Sequence, residues 1–329
     1  MHATIRIATR KSPLALRQTE LAAAALRARF PELRVETVPM TTRGDTARRT
    51  ADTHAAQTDT HAAHAAPAGG KGLFTRELER GLLDGRADIA VHSMKDVPGQ
   101  LPGGLVIAAV MAREDASDVL VCNAHDSLEQ LPDNAVIGTA SLRRQCQIRH
   151  RYPRLSVAEL HGNVGTRLAK LDAGEYDGLI LAGAGLKRLG LDARIRRTLP
   201  HDVSLPAVGQ GAIGIECRAG DDAVLPLVRA LDDAPTRVCI ETERALARRL
   251  GADCRWPLAA HASLHGGVLR LRALVGDIAG RRMLRDERDG AAHDGAQLAA
   301  AAAEALLSQG AGELLAAFAE QAAAPSSAG

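Results

Sequence analysis

Between residues 4 and 182 the chain alternates short apolar runs with segments whose apolar residues recur every three or four positions. A chain that repeats strand, helix, strand must return each strand beside the last, so this alternation predicts α/β lobes with mostly parallel sheets. Residues 4 to 8 read as a strand, and Ser12 with Pro13 opens a helix as N-cap and first helical residue, with Leu14, Leu21 and Ala25 near one face. A strand over Leu33 to Val38 follows, then a stretch from about 47 to 70, rich in Ala, Thr, His, Asp and Gly, with no apolar period. That stretch reads as a surface loop.

Order resumes at Phe74, Leu78 and Leu82, spaced by four, in a helix that ends near Gly85 before a strand at Asp88 to His92. A second run places strands near 118 to 122, 135 to 138, 156 to 160 and 178 to 182, and helices near 141 to 151 and 166 to 173. The two runs echo each other. Leu83-Asp84-Gly85-Arg86-Ala87-Asp88-Ile89 and Leu171-Asp172-Ala173-Gly174-Glu175-Tyr176-Asp177-Gly178-Leu179 each end a helix at Gly and set an acid before a strand. Two such lobes would enclose a cleft. Past Asp232 the pattern changes to a helix near Val238 to Leu250, two strands joined by His265-Gly266-Gly267, and alanine-rich helices, a small α+β domain.

Composition narrows the functions. Lys and Arg total 41 against 39 for Asp and Glu, a net charge of +2, so any anion site must be local. Six aromatic residues are too few for base-stacking platforms, which argues against nucleic acid as a partner. The N-terminal residues carry charges every few positions, neither a signal peptide nor a membrane span. Five scattered cysteines without a C-x-x-C pair fit a reducing cytoplasm better than a disulfide framework or a structural zinc. Histidines 54, 61 and 64 cluster in the low-complexity stretch but lack metal-site spacing, so no metal is expected.

Anions bind where strands end and helices begin, because free backbone N–H groups and the helix dipole point there. Four such junctions are basic: Thr9 to Ser12, His92 to Asp96, Gly138 to Arg144 and His161 to Arg167. Any one of these cations could be solvated helix surface; four together suggest a ligand with several acidic groups. Neither dinucleotide nor P-loop glycine patterns occur at these turns, which weighs against a nucleotide-dependent enzyme. Asp96 is the one carboxylate inside these junctions, suited to stabilising a positive charge on a reacting ligand, or else a partner for Lys95. Cys254 falls in a loop, while Cys122, Cys146, Cys217 and Cys239 fall in apolar patterns and read as packing.

The motifs Arg6 to Leu16, Thr42-Arg43-Gly44-Asp45, Gly70 to Phe74, Ala90 to Pro98, Ser141 to Gln145, Gly162 to Arg167 and Leu205 to Gly211 together resemble the porphobilinogen deaminase (hydroxymethylbilane synthase) family, in family order. The resemblance implies two periplasmic-binding-protein-like α/β lobes, residues 1–112 with 212–230 and residues 113–211, and a small α+β C-terminal domain, residues 231–329. It implies a dipyrromethane cofactor held through a thioether on Cys254, porphobilinogen as substrate, and a cytoplasmic monomer of haem biosynthesis that acts with no nucleic acid and no membrane. Four porphobilinogen units would be joined head to tail with loss of ammonia, and the linear tetrapyrrole freed by hydrolysis. Each unit carries an acetate and a propionate, which matches the basic junctions. By the same resemblance Asp96 and Lys95 are catalytic, and Arg10, Ser12, Lys71, Ser93, Thr139, Ser141, Arg143, Arg144, His161, Arg167 and Arg188 bind carboxylates. Residues 47 to 70 correspond to a lid.

Three positions depart from the family pattern. His161 stands where Arg is usual, losing a permanent bidentate donor. Asp253 replaces a Gly beside Cys254, with the bulky Trp256 close by, and the lid is longer. The departures at His161 and Asp253 define an alternative reading, a catalytically impaired paralogue that acts as a two-lobed polycarboxylate binder.

Overall fold

The computed structural model describes residues 4–41, 75–252 and 256–323. In the first lobe β1 (Thr4–Arg10) leads into α1 (Pro13–Arg29), whose start is fixed by Ser12: its hydroxyl accepts the Ala15 N–H at 3.3 Å. β2 (Arg34–Met40), α2 (Arg76–Leu83), β3 (Ile89–Ser93) and β4 (Leu105–Val110) follow. The second lobe holds β5 (Asp118–Val121), β6 (Val136–Gly138), α3 (Leu142–Arg151), β7 (Ser156–Ala158), α4 (Val164–Asp172), β8 (Gly178–Ala182), α5 (Gly183–Arg188) and β9 (Arg197–Thr198). β10 (Ile213–Arg218) then returns to the first sheet, giving strand orders β2-β1-β3-β10-β4 and β7-β6-β8-β5-β9. The chain therefore crosses between the lobes twice, at residues 111–117 and 199–212.

Four of the five strands in each of these two sheets run the same way, as a mostly parallel sheet requires, and one runs against them. β1 with β2 and β3, and β6 with β7 and β8, are parallel, but β10 runs antiparallel to β3 and β4, and β5 antiparallel to β8 and β9. The antiparallel strands are those adjoining a crossing, where the chain enters from the other lobe and no intervening helix dictates direction. The buried side of α1 is shifted. Gln18, Ala22 and Leu26 face inward with Thr19 and Ala23, while Leu14, Leu21 and Ala25 are half-buried.

After α6 (Leu225–Arg229), the third region is built from α7 (Ala234–Arg249), the antiparallel sheet β11 (Leu258–His265), β12 (Val268–Gly276) and β13 (Met283–Ala291), and helices α8 (Gly295–Ser308) and α9 (Ala311–Ala323). Gly266 and Gly267 turn the hairpin with φ of 57° and 81°, the left-handed pair that a two-residue hairpin turn requires. The helices cover the apolar face of the sheet, with Leu246, Leu269, Leu271, Ala302 and Leu306 fully buried between them. Among the described residues no helix is long and apolar enough to cross a membrane.

Both crossings are fastened to this third region by one carboxylate. Glu243 on α7 is fully buried; its Oε1 accepts from Arg113 Nη1 at 2.6 Å and Ala262 N at 2.8 Å, and its Oε2 from Gly209 N at 2.7 Å. Arg113 Nε spans to the Gln210 carbonyl at 2.8 Å, so one ion pair ties residues 113 and 209–210 to the same helix. A buried pair of this kind stabilises only when its remaining hydrogen bonds are met, as they are here.

Candidate active site between the lobes

The site begins at the strand ends. β3 delivers Ser93, Lys95 and Asp96 on a single tight turn, and a residue the sequence reading overlooked fixes the first of them. Gln18 on α1 is buried and places its Nε2 2.8 Å from the Ser93 hydroxyl. Beneath the turn His92 Nε2 lies 2.9 Å from Glu216 Oε2 on β10, both side chains almost fully buried. The crossing at 209–212 packs directly on the same turn: Met94 N donates to Ala212 O at 3.0 Å, and a Cβ on Gly209 would come within 2.9 Å of the Met94 backbone. Gly209, at φ 74°, is required both by that approach and by its backbone angle.

Lys95 and Asp96 are half-buried. Burial pushes the Lys95 ammonium down to about 8; the neighbouring Asp96 carboxylate opposes the drop, and the guanidiniums of Arg144 and Arg167 deepen it. Arg144 and Arg167 belong to the second lobe, so cations of both lobes act on each other across one space. Asp96 accepts no hydrogen bond from any described side chain and stays open to a ligand.

In the second lobe the expected binders are held more tightly. Thr139 is buried, its hydroxyl accepting the Ser141 N–H at 3.2 Å, and Ser141 stands half-buried at the start of α3. Arg143 and Arg144 are only 3% and 5% exposed and share a carboxylate, Asp118, that sequence reasoning did not single out. Arg143 Nη1 reaches Asp118 Oδ2 at 2.7 Å and the Leu205 carbonyl at 2.6 Å, while Arg144 Nη2 reaches Asp118 Oδ1 at 2.8 Å. Ser204 and Gln210, both from the crossing, complete the acid's shell at 2.7 and 2.8 Å. Burial alone would raise the Asp118 carboxyl, but the two guanidiniums hold it far below the ordinary carboxylate range. Two fixed positive charges on one negative charge leave a net cation here. Arg143 thus faces the interior, contributing charge rather than a free fork. The signal for Asp118 was a lone acid at the head of the apolar run Asp118-Val119-Leu120-Val121.

The remaining expected residues divide. Arg10 is half-buried at the end of β1, and Arg167 Nε donates to the Gly162 carbonyl at 2.9 Å. Arg188 closes the lobes on one another: its Nη2 donates to the Gly211 carbonyl at 2.5 Å, its own carbonyl accepts from Arg17 Nε of α1 at 3.3 Å, and burial lowers its guanidinium. His161 is half exposed and its Nε2 sits 2.9 Å from Glu159 Oε2, so its hydrogen bond goes to a neighbour on its own strand end. Ser12 spends an oxygen lone pair on the cap of α1. Lys71, Cys254, Asp253 and the stretch at 47–70 lie outside the described residues, as do Thr42 to Asp45 and Phe74. The four described cysteines are buried and free, with burial raising Cys146 to about 12 and Cys217 and Cys239 to about 11.

Comparison with known proteins gives two matches that together cover most of the chain. Residues 5–226 match the family model described as porphobilinogen deaminase, dipyromethane cofactor binding domain, and residues 237–308 match the one described as porphobilinogen deaminase, C-terminal domain. Among solved structures, the periplasmic VFT2 domain of Bordetella pertussis BvgS is 16% identical over 69% of this chain and 86% of its own, with a TM-score of 0.40. A periplasmic substrate-binding protein of an ABC transporter from Coxiella burnetii is 14% identical over 69% of this chain and 91% of its own, also at 0.40.

Proposed function

This chain belongs to the porphobilinogen deaminase family, and we propose that it is a hydroxymethylbilane synthase: four porphobilinogen and one water give the hydroxymethyl linear tetrapyrrole and four ammonia. The observation that carries the reading is Asp96, a carboxylate with no described hydrogen-bond donor, standing beside Lys95, whose ammonium feels the charges of Arg144 and Arg167 of the opposite lobe. Cations gather a ligand with several carboxylates, and the unengaged acid is left for the one part of that ligand that becomes positive.

The donor set suits a dipyrromethane, whose four carboxylates call for cations and hydroxyls and no metal ligands. Arg10, Ser12, Ser93, Thr139, Ser141, Arg144, Arg167 and Arg188 would hold them, with the buried Arg143 adding charge, Lys71 and His161 adding contacts, and the Cys254 sulfur as the attachment point. When bound, the group supplies a nucleophilic pyrrole α-carbon. The protein's part is then positional and electrostatic. Asp96 accepts the pyrrole N–H of the incoming unit and stabilises the positive charge that develops as ammonia leaves. Lys95 holds a carboxylate of the same unit, and its neighbour Ser93 is oriented by Gln18. Buried free thiols fit a reducing compartment, and we place the protein in the cytoplasm as a monomer, with domain limits at 1–112 plus 212–230, 113–211 and 231–329.

Intact-protein mass tests this directly. The denatured chain should carry the dipyrromethane increment, and Cys254→Ser should lack it and fail to release tetrapyrrole from porphobilinogen. A chain of unmodified mass that still binds polycarboxylates would instead be the impaired binder that His161, occupied by Glu159, brings into view.

A further inference from the structure

A hollow of about 720 Å³ opens between the first lobe and α7 of the third region, with no residue of the second lobe in its lining. Its base is apolar: Met94, Val110 and Ile240 are buried there, and Leu101, Ile107 and Val238 are half-buried around them. Its rim is one face of α7, where Arg237, Glu241, Arg244 and Arg248 recur at intervals of four, three and four.

Only one of the three guanidiniums is neutralised. Arg237 pairs with Asp232 at 2.7 Å and Glu241 at 3.2 Å. Arg244 has no ion pair among the described residues. Its Nη1 and Nη2 donate to the carbonyls of Val97 and Pro98 at 3.1 and 2.7 Å, and burial lowers its guanidinium to about 10, with the Arg248 charge adding to the drop against weaker pulls from Glu216 and Glu241. The Arg248 side chain is exposed and its guanidinium makes neither hydrogen bond nor ion pair with a described residue, while its Cγ lies 3.5 Å from where a Cβ on Gly99 would stand. A charge taken partly out of water, as at Arg244, is ordinarily paired, and the Arg248 guanidinium beside it repels it until an anion joins them. A trough of this size accepts a small organic molecule, and its walls favour a hydrocarbon body over a bare inorganic ion.

We propose that this groove binds a small carboxylic acid with an apolar body, its carboxylate set between Arg244 and Arg248. Because Arg244 also holds the two carbonyls that directly follow Asp96, the bound acid would steady the turn that carries Lys95 and Asp96. The inference does not depend on what the space between the lobes turns over. Titration of the full chain with 1-naphthoate, followed by calorimetry and by amide exchange, tests it. Saturable binding with Kd below about 1 mM is expected, with slowed exchange at residues 97–110. Arg248→Glu, at an exposed position, should weaken binding at least tenfold, Arg248→Lys should restore most of it, and neutral 1-naphthalenemethanol should bind at least tenfold more weakly. Absence of saturation, affinity unchanged in Arg248→Glu, equal affinity for the neutral probe, or affinity that depends on Arg167 would each overturn the proposal.

Discussion

The two lobes offer charge to the same space in opposite ways. In the second, Asp118 is fully buried and takes hydrogen bonds from Arg143, Arg144, Ser204 and Gln210, so every lone pair it has is spoken for. In the first, Asp96 is half-buried with no described donor, and the lysine beside it is a cation that burial disfavours and Asp96 only partly restores. A saturated carboxylate holds structure; an unsaturated one is free to accept a ligand's N–H. The difference sorts acids of the same residue type into separate jobs, and each job leaves its own trace on substitution.

The largest effect should come from the saturated acid. Asp118→Ala leaves two buried guanidiniums without a counter-charge and should cost about 3–5 kcal/mol of stability, read from urea midpoints. Loss of less than about 1 kcal/mol would mean that the two guanidiniums find solvent or another acid, and the comparison would fail. Asp96→Asn should do the reverse. Its melting midpoint should stay close to that of the parent, while turnover of porphobilinogen falls about 10²–10³-fold, the usual loss for one electrostatic stabiliser. Wild-type turnover in Asp96→Asn with the mass increment retained would end its assigned role.

Lys95 sharpens the contrast through pH. Its folded-state value of about 8 lies below its ordinary 10.5, so the ammonium is disfavoured in the folded protein and is lost as pH rises through about 8. Carboxylate binding through Lys95 is therefore full below that pH and declines above it. The apparent KM for porphobilinogen should rise above pH 8, and Lys95→Arg, charged throughout, should flatten that rise. A KM that is flat in the parent between pH 7 and 9 would remove Lys95 from substrate binding.

Much of this arrangement was legible in the sequence because apolar periodicity and helix starts are local. β1, α1, β3 and, in the second lobe, β5 to β8 with α3 and α4 fall close to where their patterns put them, and Ser12 caps α1 as its position before Pro13 requires. What escaped was set by partners far along the chain. β13 reads Met-Leu-Arg-Asp-Glu-Arg-Asp, with no apolar alternation, and is a strand because Arg270 and Arg272 on β12 meet Asp289 and Glu287 across the pair. Gln18 and Glu243 carry no local signal in the sequence; each is buried by a contact 75 or 130 residues away. The basic junctions were visible, but Arg143 and Arg144 on α3 read as free cations because Asp118 sits 25 residues before Arg143, at the head of β5.

The smallest expected effect is at His161, where the structure changes what restoring the family's arginine should do. His161 is half exposed and bonded to Glu159, whose carboxyl is held below its ordinary value by that same hydrogen bond. A guanidinium placed there by His161→Arg meets Glu159 first, and an exposed pair of this kind is worth about 0–1 kcal/mol, so the KM for porphobilinogen should fall by no more than about fivefold. Removing the competitor should release it. His161→Arg combined with Glu159→Gln should lower KM further than either substitution alone, whereas Glu159→Gln by itself should leave KM nearly unchanged. Strictly additive effects in that cycle would mean that Glu159 does not govern the side chain at 161. A large rise in KM for the single variant would mean that this strand end does not face the substrate's carboxylates at all.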